Sequence, residues 1–124
     1  MAISLNATLR STRATAIITF ASTSAKLRIY TAAYGALLCE CVCNVAQFGT
    51  ESGGVITLSA ISAGTAAGAG TAAIARILKS DEATMVVEGL TVGVGSFNVN
   101  ITNTTIAIGD TVTVTSATIT EGNA

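Results

Sequence analysis

The sequence predicts a mainly β fold: a β-sandwich of jelly-roll or immunoglobulin-like type, with about 7–8 strands and one N-terminal α-helix. Three observations carry that prediction. Short segments alternate apolar residues with Thr or charge, as in KLRIYT at 26–31 and TVTVTSATIT at 111–120. Glycine-rich or Asp-containing turn clusters punctuate the chain at short intervals. Ala and Thr supply 42 of the 124 residues and there is no Pro, a composition that suits half-buried pleated surfaces. Residues 1–25 read as an arm plus helix and residues 26–124 as the sandwich, one domain overall.

Each element has a local reason. Asn6 is a suitable N-cap for a helix over residues 6–21, because a side-chain oxygen there accepts from an early backbone N–H. Leu9, Arg13, Ala16, Ile17 and Phe20, with Ala21 beside them, fall at the three- and four-residue spacings of an amphipathic helix, with Arg10 and Arg13 expected to be exposed. Residues 26–31 alternate as a strand, Gly35 marks a turn, and Leu37 to Val45 returns. Paired Gly53 and Gly54 supply the positive φ of a tight reversal before strand 55–61. AGTAA then occurs twice, at 63–67 and 69–73, and reads as a low-complexity loop. Strands at 73–79 and 84–88 flank a hairpin tip at Asp81 and Glu82. Residues 97–101 and 111–120 alternate about a turn at Gly109 and Asp110, with Val112, Val114, Ala117 and Ile119 facing the core and a bulge near Ser116.

Composition narrows function. The chain has no His and no Trp and a formal charge of -1. Without His the commonest acid–base group at neutral pH is missing, and near-neutral charge gives no footprint for nucleic acid. Lys26 and Lys79, the lysines a Ser-Lys dyad would need, lie in no recognisable motif. Mean hydropathy is +0.66, yet a spanning helix needs about 20 consecutive apolar residues. Ala14 to Ala25 is interrupted by Thr and Ser, and Thr31 to Cys43 carries Glu40. The opening MAISLNATLR lacks the apolar block of a secretory signal, and three cysteines, an odd number, fit a reducing compartment.

Two local motifs invite chemistry. Gly68, Gly70 and Ala73 match GxGxxA after an apolar strand, and Glu88 stands where a ribose-binding acid would. Strand-like segments rather than alternating helices fill the rest of the chain, so this stretch reads as a Gly/Ala loop. Cys39, Cys41 and Cys43 alternate along one strand face. That spacing matches neither a two-loop zinc site nor an unstrained disulfide, and it predicts small apolar core residues. No catalytic residue, cofactor or metal is expected.

Beyond single motifs, the run KLRIYTAAYGALLCECVCNVAQFGTESGGVITLSAIS resembles a family of small virion structural proteins of tailed bacteriophages and prophages. The likeness extends through ARI, VVEGLTVGVG and FNVNITNTTIAIGDTVTVTSATIT. The chain departs from that family in a shortened loop, Ala32-Ala33-Tyr34-Gly35, and in an Ala where relatives carry Trp before ARI. The resemblance implies a capsid decoration or cement protein in the virion, with the major capsid protein and further copies of itself, a trimer favoured, as partners. It implies neither nucleic acid nor membrane contact. The alternative it leaves is a tail, neck or head-fibre component that binds the host surface. Charge is uneven, net +4 over residues 1–39 and net -5 over the remainder. Arg10, Arg13, Lys26 and Arg28 are therefore the candidate protein-contact residues.

Overall fold

The computed structural model describes residues 6–120. Helix α1 spans Ala7–Ala21. The strands are β1 (Lys26–Tyr30), β2 (Leu37–Val42), β3 (Gly49–Ser52), β4 (Val55–Leu58), β5 (Gly64–Thr65), β6 (Gly70–Thr71), β7 (Ile74–Leu78), β8 (Met85–Gly93), β9 (Val99–Ile101), β10 (Thr105–Ile106), β11 (Thr111–Val112) and β12 (Val114–Thr120). Eight of them form one curled sheet in the order β2-β1-β7-β8-β9-β12-β4-β3, while β6 pairs with β10 and β5 with β11 in two short ladders. The architecture is mainly β with one N-terminal helix, as the alternation predicts. The arm before Asn6 and the segment after Thr120 lie outside the described residues.

Local chemistry explains the elements. The Asn6 side chain accepts from the Thr8 N–H at 2.8 Å and caps α1. Leu27 and Ile29 are fully buried in β1, so the alternation of KLRIY sets its inward face. Gly53 and Gly54, at φ +60° and +87°, close the two-residue β3–β4 hairpin, where both central residues need positive φ. At the β7–β8 turn, Asp81 Oδ1 accepts from the N–H groups of Ala83 and Thr84, both at 2.9 Å. The register of β12 against β9 shifts between Val114 and Ser116, where a bulge was expected. Val112, Ala117 and Ile119 are buried and Val114 half-buried.

Two expectations are corrected and one is refined. First, the stripe of α1 that meets the sheet is Ala14, Ile17, Ile18 and Ala21, with Arg10 half-buried beside it. Leu9, Ala16 and Phe20 are exposed on one flank; Arg13 is exposed as expected, whereas Arg10 is not. The methyl side chains of alanine let the helix approach β3 and β4 closely. Second, the turn that Gly35 marks does join β1 to β2, but it does not use left-handed glycine backbone. The φ of Gly35 is -65°, and the left-handed residues are Ala33 (φ +58°) and Tyr34 (φ +57°).

Third, the AGTAA repeats are paired rather than loop. Gly64-Thr65 pairs with Val112 and Thr111, and Gly70-Thr71 with Ile106 and Thr105. In each copy the following Ala is buried and donates its N–H, Ala66 to Asp110 at 2.7 Å and Ala72 to Thr104 at 2.8 Å. A six-residue step along 64–71 thus meets a six-residue step in the opposite direction along 105–112. The connecting chain also hydrogen-bonds along β2, from Ser62 N–H to Val42 and from Ala67 N–H to Leu38. The core lies among the sheet, the ladders and the small face of α1, and includes Leu27, Ile29, Leu38, Phe48, Ile56, Ile77 and Val99.

Candidate functional site

The four basic residues singled out from the sequence do not form one cluster of available charge. Arg28 stands on β1 opposite Glu40 of β2. Its Nε donates to Glu40 Oε2 at 2.7 Å and its Nη2 to Glu82 Oε1 at 3.0 Å. The hydrogen bond to Glu40 holds its pKa above the ordinary arginine value, against the lowering effect of partial burial. Arg28 is thereby neutralised within the chain. Arg10 is half-buried, with Nε shielded and without a hydrogen-bond partner. Its Cβ lies against the hairpin glycine Gly54, where an added Cβ would stand 3.0 Å away. Arg13 is exposed on the outer side of α1, and Lys26 is half-buried on β1 between Val42 and Leu78.

The side of α1 away from the sheet carries exposed Thr8, Thr12, Thr15 and Thr19. On one flank Leu9 is 46% and Phe20 48% exposed, with exposed Arg13 and Ala16 between them. They are 11 residues apart, so both lie on one side of the helix, about 16 Å from each other along its axis. Lys79 Nζ sits 4.5 Å from the Phe20 ring centroid and places one positive charge beside that patch, within cation–π range.

The sequence reading missed a second constellation. Arg76 on β7 lies opposite Arg28 of β1. Its guanidinium carbon is 4.8 Å from the Tyr30 ring centroid and 4.4 Å from that of Tyr34. The two rings meet edge-on at 5.2 Å and 76°. On the other side, Ala75 pairs with Leu90 and Ile77 with Val87, so Glu88 and Gly89 together oppose Arg76 in a bulge. Gly89, at φ +78°, donates its freed N–H to the Tyr34 hydroxyl. Alternation within KLRIY and IARIL could have placed Arg28, Tyr30 and Arg76 on one face. Nothing in the sequence announces the bulge or the left-handed Tyr34.

The remaining chemistry-bearing groups are placed as follows. Cys39, Cys41 and Cys43 are buried in the core as free thiols. Burial pushes Cys41 and Cys43 up to about 12, and raises Cys39 as well, which suppresses the thiolate and its nucleophilicity. The segment after Gly68 and Gly70 is strand β7, so it offers no helix N-terminus to a pyrophosphate. A cleft of about 180 Å³ lies among Thr102, Asn103, Thr105, Ile106, Asp110, Thr111 and Val112, below the usual size of a small-molecule pocket. In comparisons with known proteins, the chain matches no protein-family model, no curated protein and no solved structure.

Proposed function

We propose that this protein is a non-enzymatic structural subunit of a tailed-phage virion: a decoration or cement protein that binds the head shell and stabilises it through contacts with the major capsid protein. One observation carries the reading. Helix α1 seats its small side chains on the sheet and leaves Leu9 and Phe20 in solvent. Full burial of each side chain is worth about 1.5–3 kcal/mol; with 46% and 48% still exposed, the isolated subunit forgoes roughly half of that and a protein partner recovers it. Lys79 beside Phe20 adds a cation that an acidic neighbouring surface complements. In fold terms, the curled sheet and its two ladders are taken as a jelly-roll-type sandwich, an architecture used in capsid domains. Self-association, with a trimer favoured, belongs to the same proposal.

The test is copy number per purified particle for wild type and for Leu9→Glu with Phe20→Glu. Each side chain is about half exposed, so the change should cost about 1 kcal/mol per site, and circular dichroism establishes that the double variant is folded. Wild type is expected at lattice-scale copy number, with the double variant lost from the particle. Equal incorporation of the variant would refute the helix contact. A dozen copies or fewer of wild type, or binding of the purified protein to host cells, would move it to the neck, tail or fibres. Arg10→Glu is a poorer probe of docking, because the shielded Arg10 Nε couples that change to the fold.

A further inference from the structure

We propose that Arg76, framed by Tyr30 and Tyr34, is a carboxylate-recognition site that takes an acidic side chain from a partner protein. The proposal uses elements apart from the α1 surface, so the two stand or fall separately. An arginine carries five N–H donors and no acceptor. Among the described residues Arg76 has no acidic partner, and its Nε is shielded without a hydrogen bond. The acids closest in the sheet are committed elsewhere: Glu40 and Glu82 both bind Arg28. Glu88, opposite Arg76 across the bulge, forms no ion pair with it.

The surroundings organise this guanidinium. Two aromatic rings at right angles lie within 5 Å of its carbon and limit how it can move. Ala33 and Tyr34 both occupy left-handed backbone, a strained conformation for residues other than glycine. The strained pair places the Tyr34 ring on Arg76, and the Gly89 N–H, released by the bulge, fastens the Tyr34 hydroxyl. Backbone strain and bulges of this kind concentrate at functional positions.

The two rings lie side by side against the guanidinium and its Nε is shielded, so the terminal Nη groups are the part left for a ligand. A carboxylate matches those groups through two parallel hydrogen bonds. Charge selects the same ligand. Glu40 and Glu82 both bind Arg28, so the Arg28–Arg76 pair is balanced overall while Arg76 has no direct counterion; a singly charged carboxylate disturbs that balance less than a phosphate dianion.

The protein supplies its own reporter. It has two tyrosines and no Trp, so its tyrosine emission arises wholly from Tyr30 and Tyr34. Titration with an end-blocked peptide containing glutamates should change that emission saturably, whereas the same peptide with glutamines should not. Arg76→Lys keeps the charge but loses the paired donors, and affinity should fall about tenfold or more. Circular dichroism and the melting temperature establish that the variant is folded. If it is not, Tyr34→Leu removes one wall and should also weaken binding. Equal responses to both peptides, or glutamate-peptide affinity within twofold in a folded variant, would overturn the proposal. So would saturation by inorganic phosphate or acetate in place of the peptide, which would assign the site to a small anion.

Discussion

Gly64→Ala tests the seating of the first AGTAA copy on β2. A Cβ at Gly64 would lie 2.4 Å from the Glu40 carbonyl oxygen, 2.7 Å from Cys39 Sγ and 3.2 Å from Cys41 Sγ. The nearest obstacle is backbone, and rotating a side chain cannot remove it. Segment 62–67 must therefore retreat from β2 by about 1 Å to restore ordinary contact distances. Overpacking of a closed site costs about 1–3 kcal/mol. The retreat also stretches the flanking bonds from Ser62 to Val42 (3.0 Å) and from Ala67 to Leu38 (2.8 Å), each worth about 1 kcal/mol net. A loss of about 3 kcal/mol follows, or roughly 10 °C in melting temperature for a chain of this size. Gly53→Ala is the control. Its φ is +60° and no atom lies within 4 Å of the added Cβ, so only backbone strain of about 1 kcal/mol remains. Thermal denaturation ranks the two variants, and an aromatic disulfide reagent reads the opening of the layer over Cys39 and Cys41. A Gly64→Ala protein no less stable than Gly53→Ala, with its thiols still protected, would refute the packing argument.

Two titrations follow from the same structure. Cys41 and Cys43 are raised from 9 to about 12 by burial, so the folded chain retains protons that the unfolded chain releases. Their contribution is complete below pH 9 and is lost as pH rises toward 12; the decline in melting temperature over that window should flatten in a Cys41→Ala, Cys43→Ala variant relative to its own value at pH 8. Asp81 is lowered to about 2 by the backbone N–H groups of Thr84 and Ala83 and the Thr84 hydroxyl. Its contribution is present above 3.8 and fades as pH falls through about 2, so a carboxyl NMR titration should give a midpoint near 2 and one near 4 would contradict the turn.

What the sequence makes legible is what short-range chemistry decides. Asn6 caps its helix, Gly53-Gly54 closes its hairpin and Asp81 ties its turn through partners within three residues. Alternation sufficed for the burial of Leu27, Ile29 and the three cysteines. The phase of α1 was not legible, because Leu9 and Phe20 outweigh Ala14 and Ala21 on any hydrophobic scale while only alanine permits close approach to the sheet. The AGTAA copies read as loop because two-residue strands have almost no periodicity. Their strand character comes from partners more than thirty residues away, at 105–106 and 111–112.

Charge shows the same division and locates the functional question. Along the sequence the basic excess lies in residues 1–39 and the remainder is acidic, which directs attention to Arg10, Arg13, Lys26 and Arg28. Folding brings Glu82, 54 positions away, onto Arg28 and consumes one of those charges internally. Arg76 lies within the acidic region, where a regional count hides it; Glu40 and Glu82 are taken by Arg28, and Glu88 opposite Arg76 makes no ion pair with it. A charge becomes available to a partner when topology has used up its own counterions, whatever the balance of the segment around it. On that criterion Arg76, packed against two tyrosines, has more capacity for outward recognition than Arg28 directly opposite it.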